Sequence, residues 1–179
     1  MFTYTVDKDI ELRILETRHT EECFNLINSE REYLREWLPW VDNTKEIKVV
    51  KKYIESGLKQ FSNNDGFNCG IWYKGEYAGV IGLIGINWGH KSTSIGYWLG
   101  SKFVGKGIMT KSCRVLIEYV FKELGLHRVE IRCAEENIKS RAIPERLGFT
   151  EEGKVRESEY LYDHYVNHIV YGILDKEWL

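Results

Sequence analysis

Ser94-Ile95-Gly96-Tyr97-Trp98-Leu99-Gly100-Ser101-Lys102-Phe103-Val104-Gly105-Lys106-Gly107-Ile108-Met109-Thr110 is the stretch from which the fold can be read. Ser94 to Leu99 has strand character, glycine returns at 100, 105 and 107, and helical periodicity starts directly afterwards. A strand that runs through a glycine loop into a helix makes an anion site. The first-turn amides have no intrahelical partners, and the helix dipole adds positive potential. Gly105 and Gly107 carry no side chain, so a phosphate can approach the backbone, and Lys102, Lys106 and Lys111 bring positive charge. The expected ligand carries a diphosphate. Other phosphate loops fit less well. A Walker loop needs G-x-x-x-x-G-K-S/T, which is absent, and a dinucleotide fingerprint needs glycine where Thr110 stands. On this stretch alone, an ordinary strand–helix turn with two glycines stays open.

Working outward, Glu11 to Leu15 alternates polar and apolar residues and reads as a strand. Thr20 reads as the N-cap of a helix that turns Cys23, Phe24, Leu26 and Ile27 inward. A second short helix reaches Leu38, and Pro39 stops it. Thr44 reads as the cap of a third helix to about Phe61, with Ile47, Val50, Ile54 and Leu58 on one stripe. Phe67 to Tyr73 and Tyr77 to Asn87 form a hairpin across Lys74-Gly75. After the strand 94–99 come a helix over 105–124, an alternating strand over 127–133 and a short helix over 140–147 that Gly148 ends. Strands at 149–155, 157–162 and 168–174 complete the chain. This order predicts one α+β domain over residues 1–179, a mixed α/β sheet flanked by helices.

Composition supports an ordinary globular domain. The 179 residues hold 43% apolar and 29% charged side chains, which is enough to bury a core without disulfide or metal staples. A net charge of −2 argues against a dedicated nucleic-acid binder. Residues 1–9 lack a basic start followed by an apolar stretch, so no secretory signal is read there. The longest mostly apolar run, Tyr77 to Trp88, is far below the roughly 20 residues that a membrane helix needs. Cys23, Cys69, Cys113 and Cys133 are widely spaced and read as reduced, mostly buried thiols, which leads to a cytoplasmic expectation. No metal site is expected, because the four-residue spacing of His164 and His168 suits a metal only on a helix. His127, at a strand start, reads as a structural hydrogen-bonder, and Trp37, Trp40 and Trp88 as packing residues or as the rim of an acceptor pocket.

A second segment, Asn137-Ile138-Lys139-Ser140-Arg141-Ala142-Ile143-Pro144-Glu145-Arg146-Leu147-Gly148-Phe149, follows the next strand at once. With it, the chain resembles the GCN5-related N-acetyltransferase (GNAT) superfamily. The pyrophosphate signature of that family is Q/R-x-x-G-x-G/A. Lys102-Phe103-Val104-Gly105-Lys106-Gly107 matches it except at its first place, where Lys stands. The N-x-x-S and R-L-G-F elements, with Gly96-Tyr97-Trp98-Leu99 before them, are similar to the RimJ/RimL-type branch, which acetylates the N-termini of ribosomal proteins. The resemblance covers nearly the whole chain.

The resemblance implies a three-layer fold whose central twisted sheet has two splayed parallel strands, here 94–99 and 127–133, with acetyl-CoA in the cleft between them. It implies that backbone groups of Tyr97, Trp98 and Leu99 bind the pantetheine arm. The amides of Val104, Gly105, Lys106, Gly107, Ile108, Met109 and Thr110 would hold the diphosphate. Asn137 would bind pantetheine or position the thioester, and Arg146, with Arg141, would meet phosphates or simply form a solvated helix face. Ser140 corresponds to the serine proposed in that branch to serve the leaving thiolate; as a residue it also reads as a helix cap. Glu159 corresponds to the proposed general base, and Glu157 on the same strand face stays open beside it.

The chemistry is attack of a neutral amine on a thioester, and an α-amine with a pKa near 8 needs only a modest base. Residues 102–146 carry an excess of basic side chains and residues 147–179 an excess of acidic ones, which suits a phosphate-bearing cosubstrate on one side and a cationic amine on the other. The expected activity is acetyl transfer by direct attack in a ternary complex, with the N-terminal amine of a ribosomal protein as acceptor and a homodimer as the assembly that the branch implies. A small amine (a polyamine or an aminoglycoside-like antibiotic) is the alternative acceptor. The rivals from other classes are a non-catalytic acyl-CoA-binding module and a nicotinamide-dependent oxidoreductase.

Overall fold

The apolar alternation near the N-terminus forms β2 (Ile10–Ile14), which buries Ile10 and Leu12 and pairs on its outer edge with an unforeseen strand, β1 (Thr3–Thr5). The structure, a computed structural model, describes residues 3–178. The readings that include Met1, Phe2 or Leu179, the single domain over 1–179 and the lack of a signal over 1–9, extend outside the described residues.

Three helices follow: α1 (Thr20–Ser29), α2 (Arg31–Arg35) and α3 (Ile47–Ser62). The caps expected from Thr20 and Thr44 do not form. The Thr20 hydroxyl lies inside α1 and donates to the Thr17 carbonyl at 2.6 Å, and the Thr44 hydroxyl donates to the Trp40 carbonyl at 3.0 Å. Each threonine instead closes a single 3-10 turn that precedes its helix, which satisfies the hydroxyl equally well. α2 ends at Arg35, short of the expected Leu38. In α3, Val50 and Ile54 are buried, Leu58 is half-buried and Ile47, in the first turn, is exposed.

The remaining elements are β3 (Phe67–Tyr73), β4 (Glu76–Asn87), β5 (Ser92–Leu99), α4 (Ile108–Lys122), β6 (Arg128–Ala134), α5 (Ile138–Arg146), β7 (Thr150–Leu161) and β8 (His164–Leu174). Lys74 and Gly75, with φ of 52° and 81°, make the tight turn between β3 and β4. The two strands expected at 149–155 and 157–162 are one strand, β7, which shifts register at 151–153 and again at 155–159.

The sheet runs β1-β2-β3-β4-β5-β6-β8-β7, and every neighbouring pair is antiparallel except β5–β6. Successive strand residues point to opposite faces. Tyr97 points to the α4–α5 face, where its hydroxyl meets α5, while Trp98 points the other way and packs on Trp40, between α2 and α3, with ring centroids 5.9 Å apart. Ile71, Ile81 and Leu83 of the central strands, with Cys113, Ile117 and Val120 of α4, are fully enclosed, so the sheet is sandwiched between the two helical layers.

The pairing that matters for function is the incomplete one. β5 and β6 pair only where Ser92–Ser94 meets Arg128–Glu130. Beyond that point β5 stays bound to β4 as far as Leu99 and β6 to β8 as far as Ala134, so the two strands diverge. The splay exposes one backbone edge of each strand to the cleft. Among the described residues, no helix is long and apolar enough to cross a membrane.

Candidate active site

A cavity of about 700 Å³ occupies the splay. Its floor is Tyr97, Trp98 and Leu99 at the end of β5, with Phe103 from the turn after it. One end is formed by Val104, Gly105 and Gly107 and by Ile108, Met109 and Thr110 in the first turn of α4. A second wall comes from the start of α5: Glu136, Asn137, Ile138, Lys139 and Ser140, then Ala142, Ile143 and Arg146. The opposite wall is α2 and the segment after it, with Tyr33, Leu34, Glu36, Trp37 and Leu38.

The α4 end has the features of an anion cradle. Gly107 caps the helix with φ of 74°, and Gly105 has φ of 79°, the left-handed region that glycine adopts without steric cost. A Cβ built on either glycine would touch no protein atom within 4 Å, so the space over the loop is open to a ligand. The first-turn amides of α4 point there. Arg146 donates to the Thr110 hydroxyl at 2.8 Å, which holds a guanidinium beside the same turn. The other basic residues are arranged differently. Lys102 pairs with Glu76 and Lys111 with Asp7, and Lys106 lies over the rings of Tyr73 and Phe103; none of the three lines the cavity. Arg141 also turns away, to the Tyr171 hydroxyl at 2.9 Å and the Glu135 carbonyl at 3.0 Å.

At the α5 wall, Asn137 is the helix N-cap: its side-chain oxygen accepts from the Ser140 amide at 3.1 Å. The serine is therefore the capped residue, and its hydroxyl is free for other partners. Ser140 Oγ lies 3.3 Å from Cys133 Sγ and donates to the Tyr97 hydroxyl at 3.4 Å, while that hydroxyl donates to the Ser140 carbonyl at 3.1 Å. Tyr97 thus ties β5 to α5 across the splay, a side-chain role that the sequence reading did not assign to it. Burial pushes the Tyr97 phenol well above its usual range and raises the Cys133 thiol. Both are therefore protonated at neutral pH, and Cys133 does not offer a thiolate nucleophile. All four cysteines are free and buried, and burial pushes Cys23 up to about 11 and Cys69 up to about 12.

Glu159 lies outside the lining, on the β7–β8 hairpin. Its Oε2 is 3.1 Å from Nε2 of His168. The hairpin is fastened to the cavity wall at its tip. The Tyr162 hydroxyl donates to the Leu38 carbonyl at 2.6 Å, and the Arg35 guanidinium, held by Asp42 at 2.9 Å, sits 3.7 Å from the centre of the Tyr162 ring. Of the tryptophans, Trp37 lines the cavity, Trp40 packs behind it on Trp98, and Trp88 belongs to a groove at the far end of the sheet. His127 pairs with Asp175 at 3.0 Å, a structural contact. Tyr33, Glu36 and Glu136 were not singled out in the sequence. Nothing local marks Tyr33 and Glu36, because α2 and the segment after it reach the cleft only through the tertiary fold, whereas Glu136 directly precedes Asn137 of the segment already singled out.

A sheet splayed at its one parallel pair, with an open glycine cradle at the start of the next helix, fits a transferase that draws its group from an acyl-coenzyme A. Residues 9–150 match the family model described as an acetyltransferase (GNAT) domain, and the chain belongs to that family. It is 37% identical over 179 residues to the "Putative ribosomal N-acetyltransferase YdaF" of Bacillus subtilis (strain 168), covering 99% of this chain and 98% of that protein. Among solved structures, RimL, a ribosomal α-N-protein acetyltransferase in complex with coenzyme A, superposes with a TM-score of 0.93 at 26% identity, covering 97% of this chain and 98% of that one. The microcin self-immunity acetyltransferase MccE, in complex with acetyl-CoA and AMP, superposes with a TM-score of 0.90 at 30% identity over 94% of each chain. The protein is an acetyl-CoA-dependent N-acetyltransferase. The open cradle over Gly105 and Gly107, the free first-turn amides and Arg146 fit the diphosphate of acetyl-CoA.

Proposed function

We propose that this acetyltransferase acts on the N-terminal α-amine of a ribosomal protein. The observation that carries the reading is the full-length likeness to YdaF and RimL, which extends through the α2 segment and the β7–β8 hairpin that flank the acceptor side. The cavity supports an amine that arrives as a cation: Glu36 and Glu136 stand on its two facing walls.

Acetyl-CoA supplies an activated acyl group; the chain's own residues bind it and manage protons. The amides from Val104 to Thr110, with Lys106 contributing its backbone, hold the diphosphate, and Arg146 adds charge. The free edge of Tyr97–Leu99 and the Asn137 turn align the pantetheine so that the thioester lies by Ser140. Glu159 takes the proton of the ammonium through an intervening water, since the carboxylate stands back from the lining. As the nitrogen–carbonyl bond forms and the carbon–sulfur bond breaks, the Ser140 hydroxyl turns from Tyr97 and hydrogen-bonds the departing sulfur. A serine hydroxyl is a weak acid, so this contact stabilises the thiolate without full proton transfer; the second proton, which the nitrogen sheds as the amide forms, passes to solvent, and the thiolate is protonated from solvent to give the free thiol.

The test is release of free thiol from acetyl-CoA across a panel of amines. Turnover on peptides with the free N-termini of ribosomal proteins, and not on polyamines or aminoglycosides, is the expected result. Turnover confined to small amines would overturn the acceptor and favour the second reading, a small-molecule acetyltransferase, which the likeness to MccE with its bound AMP supports.

A further inference from the structure

The β7–β8 hairpin changes register twice, between Glu151 and Gly153 and, nearer its tip, between Val155 and Glu159. At its tip Leu161 faces His164, Tyr160 faces Tyr165 and Glu159 faces Val166. Towards its base Val155 faces His168 and Lys154 faces Ile169. Between them Arg156, Glu157 and Ser158 share a single opposing residue, Asn167. Either register continued without interruption would bring Glu157 into the ladder, opposite His168 if run from the tip or opposite Val166 if run from the base. The bulge removes it. Glu157 takes φ of 50°, a left-handed conformation unusual for a residue with a side chain.

Asn167 holds this conformation in place. Its Oδ1 accepts from the Glu157 amide at 2.9 Å, and its Nδ2 donates to Glu135 Oε2 at 2.7 Å. The Glu135 amide returns a bond to the Asn167 carbonyl at 2.9 Å, and Lys154 holds the other Glu135 oxygen at 2.6 Å. Glu135 immediately precedes Glu136 and Asn137 of the cavity wall. One side chain therefore couples the bulge of the hairpin to the segment that carries Ser140. With Glu157 withdrawn, Glu159 is the carboxylate that meets His168. On the face shared by Glu159, Val166 and His168, Val155 occupies the position opposite the histidine, so no second carboxylate competes there.

We infer that Asn167 is a positioning residue for the general base. By pinning Glu157 out of the ladder, it selects Glu159 over Glu157 and fixes it relative to Ser140. The inference rests on the reading of Glu159 as the base. Without the pin, the favourable change is for the strand to pair regularly and relieve the left-handed residue, which returns Glu157 to the face of His168 and disturbs Glu159.

The experiment compares steady-state kinetics and melting temperature for four variants. Glu159→Gln is expected to lower kcat on the order of a hundredfold or more, the usual share of a positioned base. Glu157→Gln is expected to leave it unchanged. Asn167→Ala is expected to lower kcat by about ten- to a hundredfold, as misplacement of a catalytic group does, with KM for acetyl-CoA within about twofold. The fourth variant adds to Asn167→Ala the deletion of residues 157 and 158. That chain pairs regularly from both ends with Glu159 still opposite Val166, so kcat is expected to recover without the pin. An unaffected Glu159→Gln would remove the base assignment itself. An impaired Glu159→Gln beside a fully active Asn167→Ala, or a folded deletion variant that does not recover, would overturn the role of Asn167 while leaving the base in place. Loss of kcat in Glu157→Gln would make Glu157 the working carboxylate and overturn the selection.

Discussion

The glycine loop before α4 and the β7–β8 hairpin flank the same cleft but are held by different means. The loop is a matter of backbone: two glycines at positive φ, the open first turn of α4, and a guanidinium resting on Thr110. It grows directly out of the buried centre of the sheet, and Phe103, Ile108 and Met109 anchor it in the core. The hairpin is almost entirely exposed from Thr150 to Tyr160 and owes its position to side chains: Tyr162 on Leu38, Arg35 on the Tyr162 ring, and Asn167 across the bulge. On the proposed assignment, the backbone site would recognise what acetyltransferases of this kind share, the cosubstrate. A side-chain scaffold on an exposed hairpin can change with the acceptor while the loop stays as it is.

The contrast can be broken most directly at the loop. Gly107→Val introduces a β-branched residue at φ of 74° and fills the cradle. Strain on the order of 1–3 kcal/mol combines with loss of the diphosphate contact. Calorimetric titration is expected to show acetyl-CoA binding weakened by about a hundredfold, and intact affinity would exclude the loop as the phosphate site. Ser140→Ala tests the junction between the two regions. Removing one hydrogen bond to a developing thiolate is expected to lower kcat by roughly ten- to a hundredfold with acetyl-CoA affinity retained. A loss of affinity without loss of kcat would make the serine a binding residue.

The hairpin should respond more gently and on the other substrate. Tyr162→Phe removes the bond to Leu38, worth about 1 kcal/mol. It is expected to raise KM for the acceptor about fivefold and to leave KM for acetyl-CoA unchanged; the opposite split would place the hairpin on the cosubstrate side. The smallest effect concerns pH. Lys154, then Asn167, hold the Glu135 carboxyl below its ordinary value. A carboxyl lowered in the folded state stabilises it above the unfolded value near 4.5, and that contribution fades as pH falls through the lower folded value. Glu135→Gln should therefore flatten the fall in melting temperature below about pH 4.5. Parallel acid profiles for the two proteins would show that the contact carries no linkage.

The same contrast explains which parts of the site were legible in the residues. Gly105 and Gly107 could be read because a left-handed helix entry with open space above it demands glycine. Asn137 and Ser140 stood out through the N-x-x-S element of the family resemblance, although the cap proved to be the asparagine and the capped residue the serine. Thr20 and Thr44 misled because a hydroxyl that closes a 3-10 turn has the same composition as one that caps a helix. Tyr33 and Glu36 left no local mark, while Trp37, read as packing or as the rim of an acceptor pocket, lines the cavity. Residue spacing did not separate Glu157 from Glu159, since residues two apart on a strand share a face; the family resemblance favoured Glu159, and in the structure the bulge sets the two apart.

Apart from β1 and the continuity of β7, local chemistry alone determined the order of helices and strands, the glycine loop, the helix that follows it and the turn beyond the next strand. Each of these is decided by steric rules and periodicities that act within a few residues. The tertiary structure alone decided the width of the splay, the approach of α2 to the cleft, the Tyr97 bridge to Ser140 and the choice of Glu159 at His168. These depend on strand registers and on contacts between segments as far apart as Leu38 and Tyr162. Such registers are set by the sum of packing over the whole sheet, which no single stretch of the chain contains.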